Sequence, residues 1–292
     1  MVPRLLILML LLVASSAQAG RLVAIGDLHG DLAATRQALQ LAGAIDQADR
    51  WIGGDLVLVQ TGDQLDRGDQ ERAILHLLDR LQDEAEAAGG ALHILNGNHE
   101  LMNARPDLRY VTEGGFADFA DLADLAEGAE PDSLLLAHEP AQRGRVAAFR
   151  PGGPYARMLA ERPIILLLDD TVFVHGGLLP MHLEYGIERI NHEVQQWLLG
   201  QGDPPPFIHK RESPTWSRNY SDEIDSEDCL QLAEVLQELG AQRMVVGHTV
   251  QEGGITSYCD EQVWCIDSGI AAHYGNQVQV LEIEEGKISV LQ

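Results

Sequence analysis

Residues 21–30 read RLVAIGDLHG: an apolar run, Val23-Ala24-Ile25, stops on Gly26 and is followed at once by Asp27 and His29. The same arrangement recurs along the chain. Val57-Leu58-Val59 leads through Thr61 to Gly62-Asp63, and Ile94-Leu95 leads to Gly97-Asn98. Val172-Phe173-Val174 leads to His175-Gly176-Gly177, and Met244-Val245-Val246 leads to Gly247-His248. β-rich apolar runs bounded by glycine read as buried strands. In open α/β sheets, ligands bind in the crevice beyond the strand carboxyl ends, and glycine there lets the backbone turn sharply and approach an ion. These strand ends therefore aim oxygen and imidazole groups at one crevice.

Helices fill the intervals. Asp31 is placed to cap a helix running to about Ala42, and a second helix runs from about Gln70 to Ala88. The latter carries Ile74, Leu77, Leu78, Leu81 and Ala85 on one face, and Gly89-Gly90 ends it. Further helices are expected over Ile187 to Leu199 and Glu227 to Leu239, each closed by a glycine. From Ile255 onward the pattern alternates and reads as strands, with turns near Asp260 and Gly286. Residues 101–160 interrupt the strand–helix rhythm. Their acidic, alanine-rich stretch Phe116 to Glu130 reads as a helical insertion over the site, and Asp203-Pro204-Pro205-Pro206 marks a surface loop. The fold class is α/β: one domain over residues 20–292, with the insertion at about 101–160.

At the amino end, Arg4 precedes an apolar run from Leu5 to Val13, and Ala17-Gln18-Ala19 stands before Gly20. That is the layout of a secretory signal over residues 1–19 with a small-x-small cleavage site. The run is about half of the roughly 20 residues a spanning helix needs. The expectation is an exported chain, periplasmic or secreted, with no stable membrane association after cleavage. The chain has 20 basic and 45 acidic residues, a net charge of −25. Such a surface repels nucleic acid, which normally meets a cationic face. It also demands that any phosphate site carry its own local positive charge, from metals and a few arginines. The three cysteines, Cys229, Cys259 and Cys265, have no metal-binding spacing. An oxidising compartment would permit a Cys259–Cys265 bridge across a hairpin, leaving Cys229 free.

The local motifs are GDLHG (26–30), GDQLDRG (62–68), GNHE (97–100), HGG (175–177) and GHT (247–249). Each alone is weak, because glycine-aspartate pairs occur at many turns. Together, in this order, they resemble the phosphoprotein-phosphatase branch of the calcineurin-like metallophosphoesterases over about residues 21 to 285. The resemblance implies a two-sheet β-sandwich flanked by helices (αββα) and metal-dependent hydrolysis of phosphate esters. It implies that Asp27 and His29 bind one metal, that Asp63 bridges both, and that Asn98, His175 and His248 complete the second. Oxygen and imidazole ligands without thiolate suit Mn, Fe or Zn. A shared carboxylate holds two cations roughly 3.5–4 Å apart, and a water between them loses a proton near neutral pH and attacks phosphorus in line. By the same resemblance His99 protonates the leaving oxygen, Asp66 orients its ring, and Arg67 binds phosphate oxygens. The competing reading of the Asp66-Arg67 pair is an internal salt bridge, which the resemblance disfavours.

SPTWSRNY (213–220) and HGGLLP (175–180), with the following helix to Trp197, look like the corresponding segments of the Shewanella-like protein phosphatases. That likeness makes Arg218 a second phosphate-binding arginine; taken alone, Trp216 and Arg218 could form a cation–π surface pair. Gln64 stands where eukaryotic serine/threonine enzymes usually have an aromatic residue, and the Shewanella-like group includes phosphotyrosine-directed members. The expected function is a di-metal phosphomonoesterase acting on phosphorylated protein or a small phosphoester, leaning to phosphotyrosine. Two alternatives stand beside it: a bis(5'-nucleosyl)-tetraphosphatase-like nucleotide hydrolase, which export disfavours, and a non-catalytic binding protein on the same fold. His76, His93, His138, His182 and His209 match no ligand position. Arg105, Arg109 and Tyr110 follow the GNHE loop, where they could shape the mouth of the site.

Overall fold

Two five-stranded sheets meet face to face in the computed structural model, which describes residues 20–126 and 133–292. The expected leader, residues 1–19, and the end of the Phe116–Glu130 stretch lie outside the described residues. The first half of the chain runs β1 (Leu22–Ile25), α1 (Leu32–Leu41), β2 (Val57–Gln60), α2 (Glu71–Ala88) and β3 (Ala91–Ile94). Then come α3 (Asn98–Ala104), α4 (Glu113–Ala117), α5 (Ser133–Leu136), α6 (Pro140–Phe149) and α7 (Pro154–Leu159). The second half has β4 (Ile165–Leu168), β5 (Thr171–Val174), α8 (Pro180–Tyr185), α9 (Ile187–Leu198), α10 (Ser226–Leu239) and β6 (Arg243–Val246). It closes with β7 (Thr256–Tyr258), β8 (Val263–Cys265), β9 (Val280–Glu284) and β10 (Lys287–Leu291).

The sheets run β10-β9-β1-β2-β3 and β4-β5-β6-β8-β7. Within each, three neighbouring strands are parallel: β1 to β2, β2 to β3, β5 to β6 and β6 to β8. Their carboxyl ends therefore share an edge. Alternation along the strands sorts the side chains into layers. Ala24, Val59, Phe173, Val245 and Trp264 fill the space between the sheets. Val23, Ile25 and Leu58 face the other way and pack with Ala34, Ala38, Ile74, Leu78 and Leu81 of α1 and α2. The second sheet buries Val172, Val174, Met244 and Val246 beneath Ile190, Val194, Leu232 and Leu236 of α9 and α10. This is the expected αββα arrangement.

Helix boundaries follow local chemistry. Asp31 caps α1, its Oδ1 accepting from Ala34 N at 3.0 Å. Gly89, at φ 88°, ends α2 in the left-handed conformation. The cysteines require a correction: Cys229 of α10 is joined to Cys259, while Cys265 is free and buried. The antiparallel register pairs Thr256, not Cys259, with Cys265, so the expected bridge had no partner within reach. Cys259 sits in the turn beyond β7, where it meets α10 instead.

Candidate active site

The first loop is built by close backbone approach. Leu28 N and His29 N both donate to Asp63 O at 3.0 Å, which locks the loop after β1 onto the loop after β2. The loop after β3 is tied in by Glu100. Its carboxylate accepts from Asp63 N at 2.9 Å, Gln64 N at 2.9 Å, Leu65 N at 3.2 Å and Gly97 N at 2.7 Å. The approach is so tight that a Cβ on Gly62, at φ 109°, would lie 2.5 Å from Gly97 N. His29, Asp63, Asp66, Arg67 and His248 all have positive φ, between 43° and 67°. Non-glycine residues seldom adopt that region, and each such residue costs of order 1–3 kcal/mol. Nine other non-glycine residues among those described also have positive φ, in turns elsewhere, so at the site these five mark the tight turns by which the loops approach one another.

Asp27, His29, Asp63, Asn98, His175 and His248 converge there, all buried. Among the described residues, two clusters of atoms suited to a cation emerge: His29, Asp63 and His99, and Asp63, His175 and His248. Each cluster lies within 4.8 Å, and Asp63 belongs to both. Asp27 Oδ2 stands 3.7 Å from His29 Nε2, and Asn98 Oδ1 stands 3.0 Å from His175 Nε2. The ring orientations are fixed from behind: His29 Nδ1 bonds Leu65 O and His175 Nδ1 bonds Thr61 O, each at 3.0 Å. That leaves both Nε2 atoms for a ligand, the usual arrangement at metal-binding imidazoles. His248 Nε2 is buried with no hydrogen-bond partner, an orphan that a cation would satisfy. The residues present thus fit a pair of hard or borderline cations.

Electrostatics agree. Burial opposes ionisation of Asp63, yet His175, His99 and His29 outweigh it and hold the carboxyl well below its usual range. Asp27 is pushed well up by burial and by the neighbouring carboxylates Asp267 and Asp63. Asp267 was missed by sequence reasoning. It lies two residues past β8 in CIDSG (265–269), buried and hydrogen-bonded to Asp27. The signal was available: another apolar run ending in an acid and a glycine, within a stretch assigned only to strands and turns. Three buried carboxylates this close are unfavourable without added positive charge.

His99 and Asp66 meet beside the cation clusters. His99 Nδ1 meets Asp66 Oδ2 at 2.6 Å, and His99 Nε2 stands 3.7 Å from Asp63 Oδ2. Burial lowers the imidazole's proton affinity, but Asp63 and Asp66 prevail and lift its pKa to about 9. Asp66 does not pair with Arg67. Its other oxygen accepts from Arg145 Nη2 at 2.9 Å and Asn103 Nδ2 at 3.0 Å. Arg67 instead stacks over Tyr110 at 4.0 Å and faces Tyr274 at 6.0 Å, and its Nε is buried without an acceptor. The Trp216 and His248 rings lie edge to face with centroids 5.6 Å apart, and Arg218, exposed, lines a cavity with Trp216. No Trp216–Arg218 cation–π pair forms among the described residues. Gln64 is fully buried and bonded to Gln60, Leu95 O and Arg162, so this position has no direct route to a substrate.

Comparison with known proteins agrees with this geometry. The family model for calcineurin-like phosphoesterases matches residues 20–252. Shewanella-like protein phosphatase 2 of Arabidopsis thaliana is 41% identical over 292 residues, covering 90% of this chain and 75% of that one. Shewanella-like protein phosphatase 1 of Plasmodium berghei is 28% identical over 286 residues, covering 94% and 74%. Among solved structures, the cold-active protein-tyrosine phosphatase of a psychrophilic Shewanella species superposes with a TM-score of 0.70 at 25% identity, covering 93% of this chain and 80% of that one. Calcineurin-like phosphoesterases use a dimetal centre, and the two clusters sharing Asp63 are groups that could hold metal. The chain belongs to the calcineurin-like phosphoesterase family, similar within it to the Shewanella-like protein phosphatases, and is a metal-dependent phosphatase.

Proposed function

We propose that the chain is an exported phosphomonoesterase that removes phosphate from phosphorylated protein, favouring phosphotyrosine, with two ions of Mn, Fe or Zn. The observation that carries this reading is Asp63, whose carboxylate belongs to both cation clusters. Asp27 and His29 would hold one ion, and Asn98, His175 and His248 the other. When bound, such a pair supplies an activated water and charge to neutralise the phosphoryl group. The remaining work falls to the chain's own side chains. Arg67, steadied between Tyr110 and Tyr274, offers an unpaired donor to the phosphoryl oxygens. Arg218 approaches from the opposite loop. His99, its Nδ1 held by Asp66 at 2.6 Å, turns Nε2 to the cluster and would pass a proton to the departing oxygen.

The leaning to phosphotyrosine is supported by the aromatic rim of Tyr110, Tyr274 and Trp216, which suits an aryl ester, and by the tyrosine-phosphatase activity named for the Shewanella neighbour. Export rests on the leader pattern of residues 1–19. Phosphate release from matched phosphotyrosine, phosphoserine and phosphothreonine peptides and from diadenosine tetraphosphate, with Mn²⁺ present, tests the substrate class. Phosphotyrosine should be turned over fastest. Turnover of the dinucleotide alone would replace this proposal with the nucleotide hydrolase.

A further inference from the structure

Beside the cation clusters lies a second cavity, of about 350 Å³, between the loop that follows α3 and the long loop joining α9 to α10. Arg105, Arg109, Lys210, Arg211 and Arg218 line it, with Trp216. Five of the chain's 20 basic residues thus gather at one cavity of a protein whose net charge is −25. The cavity holds a single acid, Asp107, and it is spent on Arg109 at 2.5 Å. Arg218 is shared with the phosphoryl site; the other four positive charges and the one negative leave a local excess of three. His209, also on the wall, adds none near neutral pH, because burial and Arg105 lower its pKa to about 4. Arg105, Lys210, Arg211 and Arg218 form no ion pair among the described residues.

Such an excess is costly through mutual repulsion and is not needed for solubility in so acidic a chain. It is also next to the chemistry. Met102 lines the cavity and its Sδ lies 3.8 Å from Asn98 Nδ2, while Trp216 stands against His248. A substrate whose phosphate sits at the cations would reach the cavity within a few residues of extended peptide, at roughly 3.3 Å per residue.

We propose that this cavity is a second anion subsite, which selects phosphoesters carrying a further negative group close to the scissile phosphate. Its occupant is a carboxylate or a second phosphoryl group on the same peptide. The inference rests on the phosphatase reading above and narrows its substrate class to acidic or doubly phosphorylated segments.

The test uses the metal-loaded chain and its Arg105→Gln/Arg211→Gln variant, neither residue being part of the cation or phosphoryl site. Three fluorescein-labelled phosphotyrosine peptides differ only in their flanks, which are glutamine, glutamate or phosphoserine. Binding anisotropy, KM and kcat are measured for each, with nitrophenyl phosphate turnover as the control for an intact catalytic centre. Either anionic flank should lower Kd and KM relative to glutamine, and the double variant should forfeit about tenfold of that gain, as expected for charge-assisted contacts at a partly exposed site. The glutamate and phosphoserine arms tell which anion is preferred. Equal binding of all three peptides, or an anionic preference that survives the double substitution, would overturn the subsite. Loss of preference in binding with no turnover of nitrophenyl phosphate by either protein would keep the subsite and remove the phosphatase reading instead.

Discussion

Arg145 donates from Nη2 to Asp66 Oδ1 at 2.9 Å, and both side chains are fully buried. The same guanidinium bonds Asn103 Oδ1 at 2.7 Å and also pairs with Glu71. The helical segment after the GNHE motif therefore supplies the group that holds the carboxylate behind His99. Replacing Arg145 with Met would strand two buried carboxylates. The expected loss is about 3–5 kcal/mol of stability, read by urea unfolding of the metal-free chain. A loss under 1 kcal/mol would mean that the ion-pair network is not a structural support.

His99→Asn should slow an alkyl phosphate, such as a phosphoserine peptide, by about 10²–10⁴-fold. Nitrophenyl phosphate should suffer far less, because its leaving oxygen needs little protonation. Steady-state kcat on the two esters checks this, and equal losses on both would argue against proton donation by His99.

Glu100 takes four backbone donors from the loops that carry Asp63 and Asn98. Glu100→Gln keeps the shape but turns an amide N–H₂ toward those donors. It should cost about 1–3 kcal/mol in stability. Metal affinity should fall as well, by about 10–100-fold, since the ligands lose their support. Calorimetric titration with Mn²⁺ measures the second effect directly.

Acid sensitivity should include a contribution from His182 of α8. The ring is fully buried, its Nδ1 accepting from Leu179 N at 3.0 Å, and burial lowers its pKa from 6.5 to about 4. A group with a depressed folded pKa stabilises fully above its unfolded value and loses that contribution as pH falls through the folded one. Hence the stability gap between the wild type and His182→Gln should be widest above pH 6.5 and shrink toward pH 4, by on the order of 3 kcal/mol. Urea unfolding of both proteins at several pH values would show it, and a gap independent of pH would contradict it.

The strand ends were legible because apolar runs, glycines and ligand-type side chains coincide there. The strand-end pattern together with the family resemblance singled out Asp27, His29, Asp63, Asn98, His175 and His248, and the structure brings all six together. Asp31 and Gly89 announced their helix ends for equally local reasons. Arg145 could not be read in this way. Its partner Asp66 is 79 positions away, and nothing in PAQRGRVAAF (140–149) shows which arginine turns inward. The disulfide failed for a related reason. Nearness in sequence favoured Cys259 with Cys265, but the hairpin register and the packing of α10 brought Cys229 to Cys259. Gln64 shows the converse: a motif position with a suggestive departure proves to be buried packing.

The most direct test of the centre is metal stoichiometry after equilibrium dialysis against Mn²⁺, for the intact chain and for Asp63→Asn, with phosphate release measured on the same samples. If Asp63 serves both clusters, the intact chain should bind two ions and the variant should lose at least one of them together with turnover. Two ions and near-wild-type turnover in Asp63→Asn would contradict a centre built on this carboxylate.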